Sequence, residues 1–203
     1  MADPPPTFEP GDGLERIYVS AEALLQDAYR LAVKIYRSGF RPDFIVGLWR
    51  GGSEVGIAVQ ECLEYLGVST DHIAVRTSYS GMTTYPEIAE GKRPIRVHGL
   101  QYLLENLNTD HALLLVDDVY GSGRSMQAVV DMLSRKARRN MPAELRIAVP
   151  WYKPSQNRTG RVPDFYVHET HCWLVMPYEL TGLTREEIEA HKPGLAEILD
   201  RLS

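Results

Sequence analysis

Between Leu113 and Met126 the chain reads LLLVDDVYGSGRSM, an apolar run that ends in two adjacent carboxylates, a glycine/serine turn and the start of a helical pattern. Leu113, Leu114, Leu115 and Val116 do not alternate with polar residues, which is the pattern of a strand buried on both faces of a parallel sheet. Such sheets are covered by helices on both sides and bind ligands outside the carboxyl ends of their strands. Asp117 and Asp118 fall at that end. Gly121, Ser122, Gly123, Arg124 and Ser125 follow and open a helix whose apolar positions Met126, Val129, Val130, Leu133 and Ala137 fit a 3.6-residue period. A phosphate at this turn would meet unpaired backbone N–H groups, two hydroxyls and the positive end of a helix dipole. The acids would repel a bare phosphate, so they call for the hydroxyls of a ribose and a bound divalent cation. An ordinary capped turn does not explain them, because carboxylates ending so apolar a strand are costly to bury without cationic or hydroxyl partners.

The remaining chain repeats the strand–turn–helix theme. Ser20 reads as an N-cap before Leu24, Leu25, Ala28, Leu31, Ala32 and Ile35, with Gly39 as the stop. Residues 43–49 read as a short buried strand, and Val55, Val59, Leu63 and Leu66 mark a helix ending at Gly67. Strands are expected over 72–79, 93–98, 111–119 and 144–152, with a short helix over 100–107. From residue 160 two β-like runs, DFYVHE and WLVMPYEL, precede a charged helical tail that starts at Thr184 and is interrupted at Pro193. This alternation implies an α/β fold, a mostly parallel sheet flanked by helices. The expected organisation is a single domain over 1–203, with 1–15 disordered and 160–203 forming a small C-terminal hood and helix.

Composition narrows the partners. A net charge of -5 argues against nucleic acid or an anionic membrane as a general partner, and the basic cluster Arg135, Lys136, Arg138 and Arg139 reads as a solvated helix end. No apolar run is long enough to span a bilayer, and Met1 to Pro10 carries consecutive prolines rather than a signal-peptide pattern. Cys62 and Cys172 are too few for a disulfide framework or a thiolate zinc site; Cys62 reads as a small core residue, and a reducing, cytoplasmic compartment is expected. His168 and His171 bracket Glu169, but i and i+3 in a strand face opposite ways, so no metal is expected there.

A second glycine turn, Trp49-Arg50-Gly51-Gly52, lies between the strand at 43–49 and its helix. Its glycines let an anion approach the backbone closely, and Arg50 adds charge-assisted hydrogen bonds. Two anion loops suggest a substrate with phosphate at both ends.

These features together resemble the type I phosphoribosyltransferases. LLLVDDVYGSGRSM is similar to their signature for 5-phosphoribosyl 1-pyrophosphate (PRPP), and VGLWRGGSEVG is similar to the pyrophosphate loop of the xanthine-guanine and hypoxanthine phosphoribosyltransferases. The resemblance covers roughly residues 40–180, without a match over long stretches such as 88–110. It implies Mg2+ as cofactor, held by Asp117 and Asp118 through water, with these acids and Arg50 in the catalytic machinery. Residues 121–125 would take the 5'-phosphate, and Arg50, Gly51 and Gly52 the pyrophosphate. Ser78 and Tyr79 match a Ser-Tyr pair at the base of a mobile loop, which SGMTTYPEIAEGK would form. Lys153 matches a lysine that contacts the purine 6-oxo group, Trp173 an aromatic that stacks on the base, Leu174 a residue offering main-chain groups, and Glu179 an acid near the exocyclic position. The implied reaction joins PRPP and hypoxanthine, guanine or xanthine in purine salvage, by a homo-oligomer that is a dimer or tetramer.

The chain departs from that family at Gly121, where the 6-oxopurine enzymes usually carry an aspartate thought to receive the N7 proton. This departure keeps open a nucleotide- or PRPP-binding regulator on the same fold, or a transferase for another acceptor.

Overall fold

The computed structural model describes residues 15–79 and 94–201. In chain order its first elements are β1 (Arg16–Tyr18), α1 (Ala21–Arg37), β2 (Phe44–Trp49), α2 (Gly51–Tyr65), β3 (Asp71–Tyr79), β4 (Ile95–His98), α3 (Gln101–Asn106) and β5 (Ala112–Val116). There follow β6 (Val119–Tyr120), α4 (Arg124–Ala137), β7 (Glu144–Tyr152), β8 (Phe165–Glu169), β9 (Trp173–Val175), α5 (Arg185–His191) and α6 (Pro193–Asp200). They fall into two compact units, Leu25–Thr170 and the pair of segments Met1–Leu24 and His171–Ser203.

The larger unit is built on a sheet with the order β4-β3-β2-β5-β7; β6 and β8 also pair with β7. Every pairing is parallel except β3 with β4. The expected α/β architecture is therefore the observed one. β5 is buried at all five positions, as its unbroken apolar run requires. Its alternate residues serve both faces: Leu113 and Leu115 join Val46, Leu48, Ile147 and Val149 in a core closed by Leu103 of α3 and by Met126, Val129 and Leu133 of α4. On α1 the stripe Leu24, Ala28, Leu31, Ala32 and Ile35 is buried, while Leu25 and Tyr29 at its edge are exposed. Cys62 is half-buried rather than enclosed, and its thiol is free.

The central strands carry one irregularity. β5 and β6 lie along the same edge of β7, interrupted at Asp117 and Asp118, and the pairing resumes in the same register, from Val116↔Ala148 to Val119↔Trp151. The residues left unpaired on this side of β7 are Val149 and Pro150, and Pro150 is also skipped in the ladder with β8. Proline has no N–H to donate, so a central strand tolerates it only where pairing lapses. Before the gap Asp117 N–H donates to Ala148 O (3.3 Å); after it Trp151 and Lys153 N–H donate to Asp118 O and Tyr120 O (3.2 and 2.9 Å). Residue pairing thus lapses at both acids, while Asp117 N–H and Asp118 O still bond to the main chain of β7.

The smaller unit pairs β1 with β9 in parallel, Arg16↔Trp173 through Tyr18↔Val175. Thr184 and Glu187 form a capping box that starts α5. The Glu187 carboxylate also accepts from Arg16 and from the Tyr18 hydroxyl, and the Tyr18 ring stacks on His191 with centroids 3.6 Å apart. Lys192 Nζ donates to Met176 O and Pro177 O, and Pro193 sits in the first turn of α6, where its missing N–H costs nothing. Among the described residues no helix is long and apolar enough to cross a membrane.

Candidate functional site

The interruption of β5 leads directly into the phosphate-loop geometry. The two acids bond locally, Asp118 N–H to Asp117 Oδ1 (3.1 Å) and Val119 N–H to Asp118 Oδ1 (2.8 Å), so the chain turns within two residues. Burial, and then the neighbouring Asp118 carboxylate, push the Asp117 carboxyl well above the usual carboxylate range, against the opposing pull of the Asp118 and Gly52 amides. A third acid joins them: Glu54, in the first turn of α2, is raised by burial and by Asp118. Among the described residues no three acids, histidines or cysteines come together as a metal-ligand set, so a divalent cation beside these carboxylates would be held largely through water.

β6 ends at Tyr120, and Gly123 N-caps α4 with φ 75°, without a side-chain cap. The helix's first amides therefore face outward with their orphan donors, the arrangement that binds anions. Arg124 N–H reaches Ser122 Oγ only at 3.4 Å, and Gln127 N–H makes the first helical bond, to Gly123 O (3.0 Å). A cleft of about 70 Å³ opens here, lined by Asp117, Tyr120, Gly121, Ser122, Gly123 and Ser125 among others. Gly123 is required twice over, by its left-handed φ and because a Cβ would lie 2.6 Å from Tyr120 Cζ. The segment after β7 braces this loop from behind: Arg158 N–H donates to Ser122 O (3.1 Å), and the Tyr120 hydroxyl meets Thr159 Oγ1 at 2.9 Å.

The second glycine turn lies against the acids. The Trp49–Arg50 peptide is cis, Arg50 is the exposed N-cap of α2, and Gly51 and Gly52 are buried. A Cβ on Gly52 would approach Asp117 Cα to 2.9 Å and its Oδ1 to 3.1 Å, and Val116 O more closely still. Gly47 in β2 is required in turn, since a Cβ there would sit 2.6 Å from Gly52 O. Ser53 Oγ is buried with no hydrogen-bond partner among the described residues.

Lys153, at the end of β7, is buried at 5% exposure, and its N–H holds Tyr120 O. Ser78 is on β3, where its hydroxyl meets His98 Nε2 at 3.1 Å, and Tyr79 ends the strand opposite Ile95. The expected mobile loop that follows lies outside the described residues, as does the expected disordered tail up to residue 14. In the smaller unit Trp173 is half-buried and Leu174 buried. Trp173 N–H donates to Glu15 O and Val19 N–H to Val175 O, so the ladder uses the main chains of Trp173 and Val175 and turns the Leu174 N–H and C=O away from β1. Glu179 closes a turn: its Oε2 accepts from Met176 N–H (3.1 Å) and its N–H donates to Met176 O (3.0 Å).

His168 is engaged elsewhere, with Nε2 on Asp27 Oδ2 at 2.9 Å and its ring 4.4 Å from that of Trp151. Sequence reasoning missed Glu54, Ser53, Pro150, Gln156 and Thr159. Pro150 inside an apolar strand was a legible signal of a lapse in pairing; the others carry none.

A family model described as phosphoribosyl transferase domain matches residues 17–175. No curated protein matches. Among solved structures, the purine phosphoribosyltransferase of Pyrococcus horikoshii Ot3 is 21% identical, with 83% of this chain and 97% of that one covered at a TM-score of 0.62. A hypothetical protein from Neisseria gonorrhoeae with bound ppGpp is 20% identical, covering 92% and 98% at 0.68. The Helicobacter pylori xanthine-guanine-hypoxanthine phosphoribosyltransferase is 16% identical, covering 87% and 100% at 0.60.

Proposed function

Because this chain belongs to the phosphoribosyl transferase domain family and is a phosphoribosyltransferase, we propose that it transfers the phosphoribosyl group of PRPP to a 6-oxopurine, hypoxanthine, guanine or xanthine. The products are the nucleoside 5'-monophosphate and pyrophosphate, a purine salvage reaction. The observation that carries this reading is the uncapped start of α4 directly beyond an acid pair at the interruption of strand pairing: an anion seat beside carboxylates suited to ribose hydroxyls.

In this reading residues 121–125 take the 5'-phosphate through the open amides of α4 and the Ser122 and Ser125 hydroxyls. Asp117 and Asp118 hold the ribose hydroxyls and, through water, Mg2+, which supplies neutralising charge for the pyrophosphate. Since the Gly52 amide is turned to Asp117, pyrophosphate falls chiefly to Arg50 and the Gly51 amide, with Gly52 permitting the close approach. Holding the two ends of PRPP aligns C1 for displacement, and the leaving charge is met by fixed donors rather than by reorganising water.

Lys153 is assigned to the acceptor's 6-oxo group. In the smaller unit, Trp173 is assigned to stacking and Leu174 to edge hydrogen bonds through its outward main chain, with Glu179 near the exocyclic position and shaping the turn that follows β9. Ser78 and Tyr79 are assigned to the base of the closing loop. A cytoplasmic location fits two cysteines that are not joined in a disulfide, and a homo-oligomer, dimer or tetramer, is the assembly implied by the resemblance.

The test is purified protein with PRPP and Mg2+ against hypoxanthine, guanine, xanthine, adenine, uracil and orotate, with nucleotide formation followed by chromatography. Turnover of a 6-oxopurine, lost in Asp117→Asn/Asp118→Asn with the fold intact, is expected. Turnover confined to adenine or a pyrimidine overturns the acceptor, and unaltered activity in the double variant overturns the roles of the acids. A second reading, control through a nucleotide bound at the same cleft without being turned over, is supported by the missing side chain at Gly121 and by the ppGpp in the matched Neisseria structure. Nucleotide binding without turnover of any base would favour it.

A further inference from the structure

Gly121 is the one residue of the phosphate turn whose missing side chain the backbone does not demand. Its φ is not left-handed, and a Cβ built on it meets a single group within 4 Å, Oε1 of Gln156 at 3.1 Å. Gln156 comes from the short 3-10 turn Pro154–Gln156 that follows β7. Its position is held by the main chain on both sides. Lys153 N–H is tied to Tyr120 O, Gln156 N–H to Lys153 O, and Arg158 N–H to Ser122 O, so the turn is pinned to the residues directly before and after Gly121. The Gln156 carboxamide has no hydrogen-bond partner among the described residues. A side chain placed beside an open cleft, with one donor group and one acceptor group unspent, is a recognition element awaiting its ligand.

We propose that Gln156 is the specificity-determining residue that fills the place of a side chain at 121 and hydrogen-bonds the group attached at C1 of the ribose, the acceptor base before transfer and the nucleotide base after it. The inference rests on the reading of the cleft as a phosphoribosyl site. An amide orients a base by giving and accepting hydrogen bonds, but it does not carry off a proton at neutral pH. When the base nitrogen forms its bond to C1 and the bond from C1 to pyrophosphate oxygen breaks, the base's N–H proton therefore passes to solvent water rather than to a side chain at this place. The acceptor is selected by hydrogen-bond pattern, and general-base chemistry is absent from the position.

The test compares the wild-type chain with Gln156→Ala and Gln156→Glu. Calorimetric titration with ribose 5-phosphate and with guanosine 5'-monophosphate separates the sugar phosphate from the base. Gln156→Ala is expected to weaken the nucleotide about 3- to 10-fold, the loss of a hydrogen bond, and to leave ribose 5-phosphate unchanged. In turnover the same variant raises KM for the base and not for PRPP, and Gln156→Glu adds an ionisation to the kcat–pH profile that the wild type lacks. Equal weakening of both ligands, or of neither, overturns the inference. If the wild type turns over no base, the transferase reading fails by itself, and the paired titrations still decide the role of Gln156.

Discussion

The two glycine turns look alike in the sequence, each joining a buried strand to a helix, yet the structure demands their glycines for different reasons. In the turn after β2 the demand is proximity: Gly47, Gly52 and the end of β5 are stacked so closely that a methyl group on Gly52 would intrude on the backbone of Val116 and Asp117. In the turn after β6 Gly123 answers to conformation as well, with its positive φ and the Tyr120 ring beneath it. Gly121, two residues earlier, answers to neither. A glycine that the fold does not require, in a cleft lined by functional groups, points to what must not stand there chemically.

Substitution at each position sharpens this contrast. Gly52→Ala should have the largest effect, about 3 kcal/mol of lost stability by denaturant titration, because the obstructing atoms belong to backbone. PRPP-dependent turnover should disappear with it. A variant of normal stability would break the claim that the loop and the acid pair are packed as one. Gly123→Ala should lose about 2 kcal/mol, from left-handed strain and the ring beneath. Part of that cost should couple to Tyr120: a double-mutant cycle with Tyr120→Leu should show an interaction of about 1 kcal/mol, and strict additivity would assign the whole cost to φ.

The acids are the place where the first turn meets the second. Asp117 holds its proton more tightly in the folded chain than in the unfolded one, chiefly through burial and then through Asp118. Its contribution to stability is therefore present below the unfolded carboxyl pKa of about 3.9 and lost as pH rises through the higher folded value. Asp117→Asn removes that loss, so the ligand-free variant should melt about 2–4 °C above wild type at pH 7, with the difference shrinking in acid. A difference independent of pH would mean that packing, not charge, sets it. Gly121→Ala should change stability least, within about 0.5 kcal/mol, since only the Gln156 side chain has to give. Gly121→Asp should raise turnover of hypoxanthine or guanine if the missing base limits the rate; an unchanged or lower rate would mean that proton transfer is solved in another way.

Much of this was legible along the chain. β5 announces itself by Leu113 to Val116, and the phosphate turn by the acids, glycines and serines after it. The start of α1 after Ser20 and the break at Pro193 are also local signals that the structure keeps. What escaped depends on pairs far apart in sequence. Pro150 could be read as an oddity, but only the pairing with β5, β6 and β8 shows that it lies where the ladder lapses, across from Asp117 and Asp118. Glu54 looks like a routine first-turn acid, but its carboxyl is raised by burial and then by Asp118. Trp173 and Leu174 could be taken for core; the ladder with β1 decides which main-chain groups turn outward.

The sequence by itself determined the order of strands and helices and the chemical content of the two turns, because hydrophobic periodicity, caps and glycine punctuation act over a few neighbouring residues. Tertiary structure decided that Gly52 lies on Asp117, that Asp117 is the acid most shifted, and that Gln156 covers Gly121. Such relations arise when parallel strands bring their carboxyl ends to one edge. There the close approach of separate loops sets burial and charge coupling, and both fall off over distances that the spacing of residues along a chain does not encode.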